Sequence, residues 1–395
     1  MRNLVLKLGQ FGILGVAVSL VGPAFAAQVT EHLDIGGAVR FRYDLDPDRD
    51  IDQFGLDTIF ATAKYTSDTW IGAAKYRFYG KSRPYQYVKK IGDISFPEYA
   101  WVGYKFDENR QVQVGLNQVP FGLQTYFGST FMETLGYPLG LEDLYEVGTK
   151  YVQKFDGGWN VQAGYYLRPA WQGKGTSRGG VTYSNVPSAA DGYVSEGSNN
   201  QERNMVALRV AKSLDLGGWA SEVGVSALTS TLQNTDTDDN GRRNAVAVHF
   251  SGTKDAVSVS FLAARQQMSP RNAINDDVVT MGGYDSTYNI ASRGTLYVAD
   301  VGYSIGGTYL DGLINNARIY SNYSAFVKSG SGYDNTQRLI LGNAFFVGNH
   351  LMIATEWAFG KNDLYIGGSS YTDSLAAGGT DHWENQLNIN FGYYF

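Results

Sequence analysis

Hydrophobic and polar residues alternate along most of the chain after residue 30, in stretches separated by turns rich in glycine, aspartate and asparagine. A period of two residues is typical of a β-strand with one apolar and one polar face. The pattern predicts sixteen strands, most of them about 8 to 13 residues long, the length that a tilted strand needs to cross a membrane. Their approximate spans are 31–43, 56–65, 69–79, 96–106, 111–119, 147–155, 159–167, 204–214, 219–229, 244–251, 256–266, 294–305, 315–327, 337–347, 351–359 and 382–395.

The connections between these strands alternate between short and long along the chain. Those after even-numbered strands are short, whereas those after odd-numbered strands run through about 44–55, 80–95, 120–146, 168–203, 230–243, 267–293, 328–336 and 360–381. Short periplasmic turns opposite long extracellular loops are typical of outer-membrane barrels. The sequence therefore predicts an all-β fold, a 16-stranded antiparallel transmembrane β-barrel with short periplasmic turns and long extracellular loops. A soluble all-β sandwich or propeller is the alternative.

The first 26 residues have a different pattern. Arg2 and Lys7 precede an apolar run over residues 11–21, and the small-residue site Ala24-Phe25-Ala26 follows. This is the pattern of a secretory signal peptide. The apolar run is about half of the roughly 20 residues that a spanning helix needs. We therefore expect a signal peptide over residues 1–26 and the barrel over residues 27–395.

Composition narrows the classes of function. The chain has 18% charged and 14% aromatic residues, a mean hydropathy of −0.25 and no cysteine. The lack of cysteine excludes structural zinc–thiolate sites. The net charge of −6 argues against a nucleic-acid partner. No cofactor is expected.

The C-terminus carries a first resemblance. Alternating apolar residues from Leu387 onward end on Tyr393-Tyr394-Phe395. This ending is similar to the signal by which outer-membrane barrels are recognised for assembly. The resemblance implies the barrel assembly machinery as a partner of Phe395 and the outer membrane of a Gram-negative bacterium as the location. Likeness to general porins further implies a homotrimer, passive diffusion of small hydrophilic solutes through a water-filled channel, and no enzymatic activity.

A second resemblance lies in the segment from Gly115 to Gly122, which reads GLNQVPFG. It is similar to the G-x-x-x-x-P-F-G stretch of phosphate-selective porins of the O/P type. The basic, tyrosine-rich run of a dedicated phosphate channel is not evident. A strand end followed by a Pro-Phe-Gly turn is the alternative interpretation.

Charged residues at the polar positions of the strands should face the channel, and they lean basic. The candidates are Arg40, Arg42, Lys75, Arg77, Lys105, Lys150, Arg209, Arg318 and Arg338. We predict that Arg40, Arg42, Lys75 and Arg77 form one wall of the constriction. Charges of one sign in a confined channel concentrate ions of the other sign, which predicts a mild preference for anions. A solvated wall charge without an individual role is the alternative for each residue.

The third long connection, residues 120–146, lies where general porins fold a loop into the lumen. By that resemblance its acidic residues would form the negative side of the constriction. They are Glu133, Glu142, Asp143 and Glu146. An extracellular cap or a subunit contact is the alternative for this loop.

Aspartates recur at every second position from Asp44 to Asp52. Oxygen-rich clusters suit Ca²⁺ or Mg²⁺. Asp46, Asp48 and Asp50 are therefore a candidate surface metal site that could bridge to lipopolysaccharide among the outer-membrane lipids. A solvated loop is the alternative, and no other metal site is predicted.

Two other classes of function stay open. The aromatic segment 160–193 could stack sugars in a substrate-specific channel, for which dicarboxylate or phosphate are the other candidate substrates. A non-transport barrel, such as an adhesin or an outer-membrane hydrolase, is the third class. A hydrolase is disfavoured because it needs a nucleophile, a base and an orienting group together, and the four histidines are scattered over different strands and turns.

Overall fold

The computed structural model describes residues 27–194, 197–367 and 370–395. The predicted signal peptide lies outside the described residues. No helix among the described residues is both long and apolar enough to cross a membrane. The strands are β1 (Ala27–Thr30), β2 (Leu33–Asp46), β3 (Ile51–Thr66), β4 (Trp70–Tyr79), β5 (Ile94–Lys105), β6 (Arg110–Gln118), β7 (Tyr145–Phe155), β8 (Trp159–Pro169), β9 (Val186–Pro187), β10 (Asn200–Asp215), β11 (Ala220–Asn234), β12 (Asn240–Lys254), β13 (Val257–Ser269), β14 (Val278–Gly283), β15 (Ser286–Ala291), β16 (Arg293–Ile305), β17 (Ile314–Lys328), β18 (Thr336–Val347), β19 (Leu351–Lys361) and β20 (Trp383–Tyr394).

Sixteen of these strands close into an antiparallel barrel, so the predicted fold is confirmed. Each barrel strand overlaps one predicted span. Closure joins β2 to β20, with Ala38 opposite Tyr394. Beyond that pair, the Phe395 amide donates to the Gly37 carbonyl at 3.0 Å and the Gly37 amide donates to the Phe395 carbonyl at 2.8 Å. The last residue of the chain therefore takes part in closing the barrel.

The extracellular connections are all shorter than the sequence predicted, and three of them have at most seven residues. β2 and β3 are joined by a short turn at Pro47–Arg49, β11 and β12 by residues 235–239, and β17 and β18 by residues 329–335. The strands continue past their apolar alternation, since the ladder between β2 and β3 still pairs Leu45 with Asp52 and Asp46 with Ile51. A hydrophobic pattern cannot detect such an extension.

A small sheet covers part of the extracellular mouth. β14 and β15 form a hairpin within the loop between β13 and β16, and β14 also pairs with β9 from the loop between β8 and β10. β1 pairs with the start of β2 outside this sheet. None of these four segments (β1, β9, β14 and β15) falls in a strand that the sequence predicted.

The connection between β6 and β7, residues 119–144, is folded into the barrel, and we call it the inner loop. Its apolar residues pack against the wall formed by β10 to β17 and against the small sheet. Cluster members include Phe121, Phe127, Leu135 and Leu139 from the inner loop, Met205, Leu228, Leu262 and Leu296 from the wall, and Met281 and Ile290 from the small sheet. This side of the lumen is thus filled by protein, and open space is left along β2 to β5.

Candidate channel and its constriction

Two cavities lie along the open side of the lumen. The lower cavity, of about 680 Å³, reaches Lys64 and Phe395 near the periplasmic end. The upper cavity, of about 270 Å³, reaches Arg49 and Arg83 near the extracellular end. The two cavities adjoin, because the same four residues border both. These are Arg40, Phe131, Glu133 and Tyr284.

The four basic residues predicted for one wall all border this space. Alternate residues of a strand face the same side of a sheet, so Arg40 and Arg42 on β2 and Lys75 and Arg77 on β4 all face inward. Arg42 borders the upper cavity, and Lys75 and Arg77 border the lower one. Sequence reasoning missed three further cations along the same passage, which are Arg49, Lys64 and Arg83.

A β-bulge places a carboxylate beside Arg40. Arg40 pairs with Thr58 and Phe41 with Leu56, so Asp57 is the extra residue of β3. A bulge redirects a side chain that would otherwise alternate. Asp57 is buried at the inner surface and accepts hydrogen bonds from Arg40 Nε at 3.1 Å and Nη2 at 2.7 Å.

A second bulge does the same for the other two cations. Lys75 pairs with Tyr99 and Tyr76 with Pro97, so Glu98 is the extra residue of β5. Lys75 Nζ lies 3.1 Å from Glu98 Oε1 and 2.9 Å from Oε2, and Arg77 donates to the same carboxylate. The carboxylates that hold Arg40, Lys75 and Arg77 are therefore both bulge residues.

The aspartates near the first turn are not arranged as a surface metal site, because Asp46 belongs to the ion pairs of the channel wall. Asp46 is buried and accepts from the Arg49 backbone and guanidinium, while Asp48 and Asp50 are exposed. No group of three or more acidic or histidine side chains in the described parts of the chain is arranged to hold a metal ion. The prediction from the aspartate repeat fails because β2 continues through Asp46 and turns that side chain inward.

The inner loop supplies the opposite side of the passage. The Arg40 guanidinium lies over the Phe131 ring, 5.0 Å from its centre. Glu133 is the acidic residue of the inner loop that borders both cavities. Burial, together with the nearby carboxylates of Asp143 and Glu142, raises the pKa of Glu133 well above its usual range. The raised pKa favours the neutral form of Glu133.

The other two acidic residues of the inner loop are buried behind its surface. Glu142 accepts hydrogen bonds from the backbone amides of Phe127 at 2.6 Å and Thr134 at 3.0 Å, which fixes the shape of the loop. Asp143 accepts from the Tyr183 hydroxyl. Burial raises the pKa of Glu142 and of Asp143 to about 7. Neither residue borders a cavity, so each supports the loop from behind.

Several residues predicted to line the pore instead hold the inner loop against the wall. Lys150, Arg209, Arg318 and Arg338 are buried, and Glu146 lies buried near Glu202 and Arg243. Lys105 lies near the periplasmic end of β5 and borders neither cavity. Strand alternation predicts that a residue faces inward, but it does not predict that the inner loop covers that part of the wall.

The arginine contacts show how the loop is held. Arg209 donates to the Gly122 carbonyl at 2.7 Å, Arg318 donates to the Ser129 hydroxyl, and Arg338 donates to the Glu133 carbonyl at 3.1 Å. Lys150 donates to the Gln118 carbonyl at 3.0 Å, where the loop begins. His249 lies 3.2 Å from Glu222 and 3.1 Å from Arg209, so it belongs to this set of buried polar contacts.

Tyrosines line much of the upper cavity. They are Tyr79, Tyr85, Tyr87, Tyr137, Tyr193, Tyr284, Tyr365 and Tyr371. Of these, only Tyr193 lies near the end of the aromatic segment 160–193 that sequence reasoning singled out, and most of the others come from loops far apart in the chain. Their meeting depends on loop packing, which leaves no periodic signal in the sequence.

Comparison with known families gives one match. Residues 69–260 match the family described as phosphate-selective porin O and P. The matched region contains the whole inner loop. It also contains Lys75 and Arg77, which both pair with the bulge residue Glu98. Among curated proteins, no sequence matches this chain.

Solved outer-membrane channels share the fold over nearly the whole length. DcaP of Acinetobacter baumannii has a TM-score of 0.59 at 11% identity and covers 94% of this chain and 99% of its own. OmpT of Vibrio cholerae, in a trimer form, has a TM-score of 0.56 at 15% identity, and the match covers 92% of this chain and 99% of that protein. The anion-selective porin of Comamonas acidovorans has a TM-score of 0.55 at 11% identity, and the match also covers 92% of this chain and 99% of that protein. At these identities the likeness shows the fold.

Proposed function

We propose that this chain is a porin of the Gram-negative outer membrane, a channel for small solutes whose passage mildly favours anions. The observation that supports the preference is the lining of the two adjoining cavities. Seven basic residues border them, namely Arg40, Arg42, Arg49, Lys64, Lys75, Arg77 and Arg83, against four acidic residues, namely Asp34, Asp57, Glu98 and Glu133. Such an excess of positive charge raises the local concentration of anions.

The preference is mild because most of these cations are already paired. Asp57 holds Arg40, Glu98 holds Lys75 and Arg77, and the buried Asp44 accepts from Arg42 at 2.7 Å. Ion pairs reduce the field that a passing solute experiences, yet guanidinium groups keep donors free for a second acceptor. The raised pKa of Glu133 favours its neutral form, which removes less of the positive potential than an ionised carboxylate does.

Reversal potentials in planar bilayers under a KCl gradient test this proposal. We expect chloride to be more permeant than potassium in the wild-type channel. Arg40→Gln should shift the reversal potential towards cation permeation, because Arg40 borders both cavities. Lys254→Gln, an exposed residue at a periplasmic turn, is the matched control and should change nothing. Cation selectivity of the wild type would refute the proposal.

A second candidate function is selective uptake of one anionic solute that carries a ring. The tyrosines around the upper cavity favour it, since aromatic faces bind sugars and other rings by stacking while the arginines bind an anionic group. Liposome swelling separates the candidates. Rates that fall smoothly with solute size fit a general channel, whereas saturation by one solute fits a selective one.

We also propose a homotrimer, supported by the trimer form of the similar OmpT of Vibrio cholerae. The outward face of β2 to β5 is a suitable contact surface because it carries exposed aromatics such as Phe41, Phe54, Tyr76 and Phe78. Cross-linking of the purified protein in detergent should give a three-chain species. The remaining proposals are that Phe395 engages the barrel assembly machinery and that the chain has no enzymatic activity. The second is supported by the complete burial of the His249 side chain, which keeps it away from any solute.

A further inference from the structure

The upper cavity is bordered by two groups of side chains with different chemistry. Its eight tyrosines, together with Met132 and Leu364, offer aromatic and apolar surface. Arg42, Arg49 and Arg83 border the same space and offer positive charge. Pockets for drug-sized molecules have about 300–1,000 Å³, so a cavity of about 270 Å³ suits a solute with a single ring.

Two of these arginines converge on one amide oxygen. Arg49 Nη2 lies 3.3 Å and Arg83 Nη1 lies 3.2 Å from Gln386 Oε1. The Nε and Nη2 groups of Arg83 donate to no described residue. Burial and the nearby positive charge of Arg49 lower the pKa of Arg83 to about 10, so Arg83 is still charged at neutral pH. The cavity therefore has donors and positive charge to spare for one more acceptor.

The acceptors beside these arginines are already used by the protein. Asp46 accepts from Arg49 Nε at 2.7 Å, and the Gln386 oxygen accepts from two guanidinium groups. Asn388 Oδ1 accepts from Asn390 Nδ2 at 2.6 Å. The Asn390 oxygen has no partner among the described residues, but it is buried. Since a solute with many hydroxyl groups needs acceptors as well as donors, this lining favours a solute that mainly accepts hydrogen bonds.

Three of the tyrosines also have their hydroxyl groups engaged. Tyr85 donates to a backbone carbonyl at 3.1 Å, and Tyr137 donates to another at 2.5 Å. Tyr87 donates to Asp285 at 2.7 Å. What these three side chains offer to a solute is therefore mainly the surface of their rings.

Tyr371 links the rings to the arginines. Its ring centre lies 5.7 Å from that of Tyr193, and both residues border the upper cavity. Burial raises the pKa of Tyr371, and the positive charges of Arg83 and Arg49 act in the opposite direction. The two guanidinium groups are thus close enough to Tyr371 to interact with it electrostatically, and one small solute can contact both.

We propose that the upper cavity binds a carboxylate carried on a single aromatic ring, with the ring against the tyrosines and the carboxylate on Arg49 and Arg83. Aromatic rings pack on tyrosine in offset or edge-to-face arrangements, and guanidinium groups bind carboxylates through paired hydrogen bonds. An ionised benzoate has a flat apolar ring and two acceptor oxygens and brings no donor. A small inorganic anion would use the arginines alone, and a sugar acid would bring hydroxyl groups for which acceptors are lacking. The inference rests on the proposed function, because such a solute reaches the cavity through an open channel.

Block of the single-channel current by benzoate tests the site. In KCl at fixed voltage, benzoate added to both sides should reduce the current at concentrations at which acetate, glucuronate and inorganic phosphate have little effect. Tyr371→Leu should weaken the block about fivefold by removing one ring, and Tyr371→Phe should restore it. Arg83→Gln should weaken the block about tenfold, the effect of losing one charge-assisted contact. Arg242→Gln, an exposed residue on the outward face of β12, is the matched control and should be blocked as the wild type is.

The remaining outcomes separate this inference from the proposed function. Open-channel conductance near the wild-type value shows that each variant keeps the barrel. Equal block by glucuronate or phosphate would show a site for any anion and overturn the inference, as would unchanged block in both Tyr371→Leu and Arg83→Gln. Chloride preference in reversal potentials without selective block by benzoate would overturn the inference alone. Cation preference with selective block would refute the proposed anion preference and leave the binding site in place.

Discussion

At the scale of single residues, the charge of the passage is set by two carboxylates that a regular strand would not present. Asp57 and Glu98 each occupy a bulge, and each is held against the cations of the wall within hydrogen-bonding distance. Asp57 offsets the charge of Arg40, and Glu98 offsets part of the charge of Lys75 and Arg77. Removing one of these negative charges should therefore expose positive potential to the passing solute.

Asp57→Asn tests this directly. The amide is nearly the same size as the carboxylate but leaves Arg40 without a counter-charge, so the ratio of chloride to potassium permeability should rise about twofold. Reversal potentials measure that ratio. Asp156→Asn, at an exposed periplasmic turn, should leave it unchanged. A drop in the ratio for the Asp57 variant would show that Asp57 does not act on the passage through its charge.

Glu133 should make the selectivity depend on pH. Its raised pKa keeps it neutral at low pH, and it gains a negative charge as the pH rises through that value. The groups that face it are Arg40 and Arg77 with positive charge, and Glu98, Glu142 and Asp143 with acidic side chains. Anion preference should therefore fall as the pH is raised from acidic to alkaline conditions.

Glu133→Gln is the decisive variant for this dependence. It should hold the high anion preference of acidic conditions across the whole range of pH. Bilayer recordings at a series of pH values provide the measurement. If the variant retains the full pH dependence of the wild type, another group is responsible.

At the scale of elements, the inner loop is held by wall carboxylates that accept hydrogen bonds from its backbone. Asp300 accepts from the Ser129 amide at 2.8 Å, and Glu356 accepts from the Met132 amide at 3.0 Å and from the Tyr320 hydroxyl at 2.7 Å. Buried amides that lose such a partner are costly, about 1–3 kcal/mol each. The segment between them carries Phe131, which borders both cavities.

Glu356→Ala should loosen this segment and increase fluctuations between conductance levels. The barrel itself should persist, because its strands are held by their own ladders. Single-channel recordings at fixed voltage give the frequency of these transitions. Glu108→Ala, at the exposed periplasmic turn between β5 and β6, is the control and should give traces like those of the wild type. Quiet traces in the Glu356 variant would contradict the role of Glu356.

The sequence could predict the elements far better than the contacts between them. Sixteen alternating segments fix the barrel and its inward faces, and Arg40, Arg42, Lys75 and Arg77 follow from that alternation alone. Lys150, Arg209 and Arg338 have the same alternation and yet lie beneath the inner loop. The difference arises from where a loop of 26 residues packs inside the barrel, which no local pattern encodes. Bulges are equally hidden, since each is one residue that breaks the period.

At the scale of the whole molecule, the barrel has a packed side and an open side. The apolar cluster joins the inner loop, the wall from β10 to β17 and the small extracellular sheet into one packed core. Solutes are left with the strip along β2 to β5, where the basic wall lies. Barrel closure between β2 and β20 adjoins this strip, so errors in closure would alter the passage itself.

Deletion of Phe395 tests that link. It removes the two backbone hydrogen bonds to Gly37, each contributing about 1 kcal/mol, and the aromatic ring that packs on Gly37. We expect less folded protein in the outer membrane and loss of heat-modifiable mobility at a lower temperature. Phe395→Tyr keeps the ring and the backbone and should behave as the wild type does. Normal yield and mobility after the deletion would rule out a part for Phe395 in assembly or closure.

The two bulges also allow the channel-facing side of a strand to change independently of its membrane-facing side. On β3, Asp57 and Thr58 both turn inward, and the outward series resumes with Ile59 as if no residue had been added. Substitutions at Asp57 or Glu98 can therefore change which solutes cross without disturbing the membrane-facing surface. Descendants of this gene could acquire new permeability by single codon changes at these positions while inheriting the same barrel.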